Sequence, residues 1–172
     1  MSERELLCAI RHVSRILTRE REPRVLIDKV CSALFESGAF RRCGIALVQN
    51  GRVAAIAEAG GYGARSVMRD VFSSGDVPPC VAALLRPEPT APWDPSLCDM
   101  CSVDTDGAVA RSSTAVRLEQ DGLVLGVLCA SLASEAPDGD ERGLLRDVAE
   151  DIAFALESIR RPDPLSLAEA RY

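Results

Sequence analysis

The alternation of hydrophobic and polar positions divides the chain into helical and extended segments. Apolar side chains recur every three or four residues over 4–19, between charged residues, which predicts an amphipathic helix. A second helix is predicted from Pro23, which suits a first helical turn, to a stop near Gly38. A third is predicted from the capping-box-like start at 138–141 to the residue before Pro162.

Two hairpins are predicted between these helices. Asn50-Gly51 and Asp121-Gly122 tolerate the positive φ of a two-residue turn, and apolar or β-branched residues flank both pairs. The strand at 123–132 is apolar at nearly every position, so we expect it inside a sheet with both faces covered. The order of elements predicts an α+β domain whose antiparallel sheet carries the N- and C-terminal helices on one face.

One irregular stretch separates the hairpins. Residues 75–110 contain most of the chain's ten prolines, which excludes long regular elements there. Long loops retained in a compact domain often cover a site, so we expect a lid of loop and short helices over the other sheet face. Residues 1–161 then form a single domain, and 162–172 a flexible tail.

Length, charge and hydropathy exclude several classes of protein. A chain of 172 residues, 47% of them hydrophobic, can bury a core without cross-links. The net charge of −6 and the lack of a basic run give no electrostatic footprint for nucleic acid or a membrane surface. No stretch approaches the roughly 18 apolar residues of a membrane span. We therefore expect a soluble, cytoplasmic protein.

The cysteines argue against a disulfide framework, because their number, seven, is odd. Four of them stand in periodic apolar segments, where a thiol usually packs as a small hydrophobe. We expect these four to be buried: Cys8, Cys31, Cys43 and Cys129. The other three lie in the irregular stretch, together with the only tryptophan, Trp93.

Two long segments resemble the GAF family of small-molecule-sensing domains. They are Ser113-Thr-Ala-Val-Arg-Leu-Glu-Gln-Asp-Gly-Leu-Val-Leu-Gly-Val-Leu and Leu144-Leu-Arg-Asp-Val-Ala-Glu-Asp-Ile-Ala-Phe-Ala-Leu. More narrowly, Cys98-Asp-Met-Cys101 upstream of the hairpin resembles a GAF subgroup of bacterial and archaeal sensor histidine kinases. The resemblance implies a sheet of about five to six strands, within the usual range for a sheet. It also implies a ligand pocket on the lid side, a homodimer through the terminal helices, and a kinase or other output domain outside this chain or in trans.

Three GAF chemistries are disfavoured by departures from their motifs. The chain lacks the histidine-containing motif of free methionine sulfoxide reductases. It also lacks the Cys-His pair of bilin-binding domains and the Asn-Lys-x-Asp/Glu signature of cyclic-nucleotide domains. No catalytic residue is therefore assigned, and we expect a non-enzymatic protein of signal transduction.

The spacing of Cys98 and Cys101 allows two thiolates to reach one tetrahedral ion, as in zinc and iron–sulfur sites. Cys80 is the best third ligand. A fourth ligand could come from a second subunit or from one of three residues of this chain: Cys43, Cys129 or Asp99.

The same two thiols also suit a reversible redox pair. Carboxylates surround Cys98 and Cys101 and would raise the thiol pKa, whereas a bound cation would reverse that effect. We therefore favour a metal or cluster over bare redox chemistry, and the lack of a Cys-x-x-Cys-His sequence argues against heme. Cys80, Cys98, Cys101 and Trp93 are the candidate ligand-contacting residues. A thiol redox sensor, a thiol oxidoreductase on the same fold, and a dimerisation module without ligand stay open.

Overall fold

The computed structural model of the chain describes residues 3–60, 82, 84–86, 113–132 and 139–161. These ranges contain the three helices and the two hairpins predicted above; a further helical stretch predicted around residues 67–72 lies outside them. The elements are α1 (Glu3–Arg19), α2 (Pro23–Glu36), β1 (Phe40–Gln49), β2 (Arg52–Gly60), β3 (Ser113–Gln120), β4 (Leu123–Leu132) and α3 (Gly139–Arg160). Most of the predicted lid and the tail 162–172 fall outside the described residues.

The four described strands form one antiparallel sheet in the order β2-β1-β4-β3. Both turns have the predicted positive φ, 53° at Asn50 and 52° at Asp121, each followed by a glycine with positive φ. Strand β4 lies between β1 and β3. It has buried residues on both faces of the sheet, as its almost wholly apolar composition predicts. The antiparallel α+β architecture is confirmed, and four of the expected five to six strands lie in the described part.

The helices occupy one face of the sheet. Helix α2 packs on β1 and β2, α3 packs chiefly on β3, and α1 packs against both α2 and α3. The core between these layers is apolar and is centred on Leu26, Val30, Ile45, Leu128 and Ile152. The N-terminal helix is thus on the predicted side of the sheet, in a layer formed mainly with the other helices. None of the helices in these ranges combines the length and hydropathy that a membrane span needs.

Helix α1 differs from the prediction in its rotation. Ala9, Val13 and Ile16 are buried, whereas Ile10 and Leu17, which belong to the apolar repeat on which the helix was predicted, are only half-buried. Cys8 is exposed, so the prediction that it is buried was wrong. Apolar residues cover a wide arc of this helix, and the contacts with α2 and α3 select the part of the arc that is buried.

Both ends of α2 carry capping interactions. The Glu22 carboxylate accepts hydrogen bonds from the backbone N–H groups of Arg24 (3.3 Å) and Val25 (3.4 Å), next to Pro23 in the first turn. At the other end Gly38 has φ of 76°, and its N–H donates to a carbonyl oxygen one turn earlier. The predicted start and stop of this helix are confirmed.

Candidate functional site

Alternate residues of the four strands form a second sheet face, on the side away from the helices. Two rows of neighbouring residues cross this face: Ile56, Ala46, Val127 and Arg117, then Glu58, Gly44, Cys129 and Ala115. Ala46 and Val127 are 0% exposed, although neither belongs to the core beneath the helices. The second face is therefore covered as well.

The middle of the second face consists of small residues. Gly44 and Ala46 on β1 and Ala115 on β3 are small, whereas the neighbouring positions of the helix-covered face hold Ile45 and Leu128. Small side chains at these three positions leave the backbone surface low there. Apolar surfaces of this kind are common in the walls of small-molecule binding sites.

Arg117 lies at one edge of this face, on β3. Its side chain is only 10% exposed, and its Nη1 donates to Glu119 Oε2 at 2.8 Å. Its Nη2 donates to the backbone carbonyl oxygen of Arg86 at 2.6 Å. Arg86 belongs to the predicted lid, so this hydrogen bond places one described part of the lid against the second face.

A second charged pair lies at the opposite edge. Arg42 Nε on β1 is 3.9 Å from Glu58 Oε1 on β2, and both side chains are largely buried. The face thus has an apolar middle and a partly buried arginine–carboxylate pair at each of two edges. Binding sites for small molecules commonly have this composition, with apolar walls and a few polar groups that fix the orientation of the ligand.

The residues predicted to hold a metal or ligand fall outside the described ranges: Cys80, Trp93, Cys98, Asp99 and Cys101. Two candidate fourth ligands are described. Cys43 pairs with Ala130 and faces the helices, whereas Cys129 pairs with Gly44 and lies on the second face. Of these two cysteines, only Cys129 lies on the face toward which Arg86 reaches.

The buried thiols on the helix side have perturbed acidities. Burial raises the pKa of Cys31 to about 12, and the neighbouring Asp28 carboxylate adds to the effect. Burial also raises the pKa of Cys43 well above its usual value. Neutral thiols are poor nucleophiles and poor metal ligands. Among the described side chains, no group of three or more His, Cys, Asp or Glu residues could hold a metal ion.

Sequence reasoning did not single out the charged pairs on the second face. Arg117 and Glu119 flank the buried Leu118 in β3, and Glu58 interrupts an alanine-rich strand. Charged residues in strands whose two faces are covered were the sequence signal that could have identified these pairs. Their face depends on strand register, which the sequence leaves open.

The chain matches the family model described as GAF domain over residues 22–156. Its fold resembles the free methionine-R-sulfoxide reductase of Neisseria meningitidis, solved with its substrate, at 19% identity, covering 93% of this chain and 94% of that one, with TM-score 0.57. It resembles the GAF domain of a phosphoenolpyruvate-protein phosphotransferase from Coxiella burnetii at 13% identity, 92% and 97% coverage, and TM-score 0.52. It also resembles residues 122 to 287 of a methyl-accepting chemotaxis protein at 12% identity, 86% and 96% coverage, and TM-score 0.55. No curated protein sequence matches the chain.

Proposed function

The chain belongs to the GAF domain family, and from that premise we propose that it is a non-catalytic sensory domain of a cytoplasmic signalling protein. Its ligand is a small molecule bound over the second face of the sheet. The observation that carries this proposal is the buried floor of small residues between two arginine–carboxylate pairs. The structural resemblance to a chemotaxis protein supports the fold on which this proposal depends.

Arg117 connects the proposed site to the lid. Its guanidinium already holds Glu119 and the carbonyl oxygen of Arg86. A ligand with a polar group near this edge competes for the same donors, because guanidinium N–H groups form a fixed fork. Ligand binding would therefore change how the 84–86 segment is attached to β3.

The signal leaves through the terminal helices and reaches an output domain, such as a histidine kinase of a two-component system, in the same protein or in trans. The turn between β3 and β4 is bound to the end of α3, since Arg161 Nη2 lies 2.8 Å from Asp121 Oδ2. A structural change in β3 can therefore reach Arg161, the residue that follows the last residue of α3. Because α1 packs on α3, both terminal helices can respond.

We propose that these helices also form the interface of a homodimer. The exposed side of α1 carries positive charge, and the exposed side of α3 carries negative charge. The residues are Arg11, Arg15 and Arg19 on α1, and Asp147, Glu150 and Asp151 on α3. A two-fold axis beside the two helices would place each α1 against the α3 of the second copy, with opposite charges facing. Phe154, 63% exposed on α3, would be covered by this contact.

Sedimentation equilibrium tests the dimer. We expect the wild-type chain to dimerise at micromolar concentration and Phe154→Glu to be monomeric, because a charge would replace the exposed ring at the interface. Val25→Glu, a similar change at an exposed residue of α2, should leave the dimer intact. A wild-type chain that stays monomeric at high concentration would remove this part of the proposal.

For the cysteine loop we propose a thiolate site for zinc or an iron–sulfur cluster, with Cys98, Cys101 and Cys80 as ligands. The Cys-x-x-Cys spacing supports it, and Cys129 is the described thiol on the same side as Arg86. Elemental analysis of the purified protein tests it. Stoichiometric metal in the wild type and its loss in both Cys98→Ser and Cys101→Ser are expected. Metal-free wild-type protein prepared anaerobically would exclude the site.

A second candidate is a thiol oxidoreductase, favoured by the fold shared with the Neisseria reductase. Such an enzyme would convert methionine sulfoxide and a dithiol into methionine, a disulfide and water. The Cys31 and Cys43 thiols stay protonated and are poor candidates for the reactive cysteine, and we propose Cys80, Cys98 or Cys101 of the irregular stretch for that role. Turnover of free methionine-R-sulfoxide with dithiothreitol, lost on substitution of one of these, would establish this function. Absence of turnover would leave the sensory proposal.

Ligand binding is tested by a thermal-unfolding screen against a library of metabolites. We expect at least one compound to raise the midpoint of the wild-type chain and to raise that of Arg117→Gln much less. Arg146→Gln, at an exposed arginine of α3, is the matched control and should respond like the wild type. A library in which every active compound acts equally on both variants would contradict the role of Arg117.

A further inference from the structure

A cavity of about 290 Å³ lies on the helix-covered side of the sheet, at the end where both hairpins turn. It is bounded by the first turn of α2, the end of β1, the start of β2, the start of β4, and the last turn of α3. It is therefore separated from the candidate site by the thickness of the sheet. Its volume is at the lower end of the range of small-molecule sites.

The floor of this cavity is apolar. Leu47, Leu125 and Leu156 line it, and all three belong to the core. Because α2 packs on β1 and β2 while α3 packs chiefly on β3, the two helices cover different halves of the sheet. The cavity is at the boundary between these halves, and the leucines close it from below.

The rim of the cavity carries two exposed arginines, Arg24 from α2 and Arg160 from α3. Arg24 Nη2 donates to the Ala54 carbonyl oxygen at 3.1 Å, which holds the guanidinium at the rim. No carboxylate of the described residues pairs with either arginine. The nearby Glu22 carboxylate is engaged by two backbone N–H groups of α2. The rim therefore offers guanidinium donors above a hydrocarbon floor.

We propose that this cavity binds a small amphipathic carboxylate of the medium-chain fatty acid class. The aliphatic chain lies on Leu47, Leu125 and Leu156, and the carboxylate accepts hydrogen bonds from Arg24 and Arg160. Guanidinium groups match a carboxylate because both are planar and can form two parallel hydrogen bonds. The ligand would touch α2 and α3 at once and would hold the last turn of α3 against the sheet. The cavity is thus a second input to the helix that carries the output, independent of the second face.

Titration of the ¹⁵N-labelled chain with octanoate, followed by amide chemical shifts, tests the proposal. We expect saturable shifts at Leu47, Ala55, Leu125 and Leu156 that fit a single site. Arg24→Gln and Arg160→Gln should each weaken the affinity at least about tenfold, the usual cost of losing a charge-assisted hydrogen bond. Arg146→Gln should bind like the wild type, and circular dichroism of each variant confirms that it is folded.

Octanol, which has the same chain without the charge, completes the test and should bind at least about tenfold more weakly than octanoate. Equal binding of the two probes, or no saturable shift at millimolar octanoate, would overturn the proposal. Shifts confined to Ala46 and Val127 would also overturn it, because the carboxylate would then bind the second face. That last result would leave the proposed sensory function standing, so the two failures are distinguishable.

Discussion

Two cysteine side chains on the helix side of the sheet show how burial sets chemistry at single residues. Cys31 and Cys43 are fully buried, and the pKa of each thiol is raised mainly by the loss of solvent. Cys8, on the outer side of α1, is exposed. Thiolate, the reactive form, is therefore scarce at the first two positions at neutral pH.

Iodoacetamide labelling at pH 7.5, read by peptide mass spectrometry, should separate these residues. We expect Cys8 to be alkylated rapidly because it is exposed, and Cys31 and Cys43 to be labelled at least about a hundredfold more slowly than Cys8, since they need both exposure and ionisation. In denaturant all three should react alike. Rapid native labelling of Cys31 or Cys43 would contradict the burial of that thiol.

The raised pKa of Cys31 also predicts how stability depends on pH. The unfolded thiol ionises near pH 9, whereas the native thiol keeps its proton up to about pH 12. Stabilisation by the neutral native thiol is therefore complete below pH 9 and is lost as pH rises above it, by about 1.4 kcal/mol per pH unit.

Urea unfolding of the wild type and Cys31→Ala at pH 8 and pH 10.5 tests this dependence. Cys31→Ala lacks this titration. The difference by which its free energy of unfolding lies below that of the wild type should therefore shrink by about 2 kcal/mol between pH 8 and pH 10.5. A deficit that stays constant would mean that Cys31 titrates normally in the folded chain.

Gly126 is required because β4 and β1 approach closely. A Cβ atom at Gly126 would lie 2.2 Å from the Ala46 carbonyl oxygen, a fixed backbone atom. We expect Gly126→Ala to lower the free energy of unfolding by roughly 1–3 kcal/mol or more. Gly143→Ala adds the same methyl group in α3, where nothing lies within 4 Å, and should raise it by roughly 0.5–1 kcal/mol. Chemical denaturation that showed equal effects for both would refute this account of Gly126.

At the scale of elements, the sequence was sufficient where the determining interactions are local. The two-residue turns follow from Asn50-Gly51 and Asp121-Gly122, because these pairs accept positive φ. The bounds of α2 follow from Pro23 and Gly38, which act within one turn of the helix ends. The antiparallel sheet and its helix-covered face follow from joining these local units.

The orientation of side chains was predictable only in part, because it depends on contacts distant in sequence. Cys43 and Cys129 looked equivalent as thiols in apolar strands, yet the register of β1 and β4 places them on opposite faces. A shift of one residue would exchange the faces. The role of Arg117 was missed for the same reason, because it contacts Arg86, which is 31 residues away in sequence.

The contact between the β3–β4 turn and the end of α3 gives a prediction for one element. Asp121→Asn keeps a residue that tolerates positive φ and removes the negative charge that faces Arg161. Because the pair is exposed, global stability should hardly change. Amide hydrogen exchange in the last turn of α3 should become faster, which mass spectrometry can resolve.

The β1–β2 turn supplies the control for this experiment. Asn50→Asp alters the charge at the equivalent position of the other hairpin and should leave the exchange of α3 unchanged. If Asp121→Asn also leaves that exchange unchanged, the turn does not hold the helix end, and the proposed route from β3 to α3 is wrong.

At the scale of the whole molecule, one sheet separates two environments. The helix side holds a continuous apolar core, and the second face holds small residues with arginine–carboxylate pairs at two edges. The first environment explains stability. Partly buried ion pairs such as those on the second face add little net stability compared with apolar side chains, so their presence supports the proposed role of this face in binding.

The most direct test of the sensory proposal is to locate a bound ligand on the chain. Amide chemical shifts of the ¹⁵N-labelled protein would be recorded with the compound that most raises the unfolding midpoint. The proposal predicts saturable shifts at Ala46, Ala115, Arg117 and Val127, which weaken in Arg117→Gln and persist in Arg146→Gln. Shifts that avoid these four residues, with ligand bound at one site elsewhere, would contradict it.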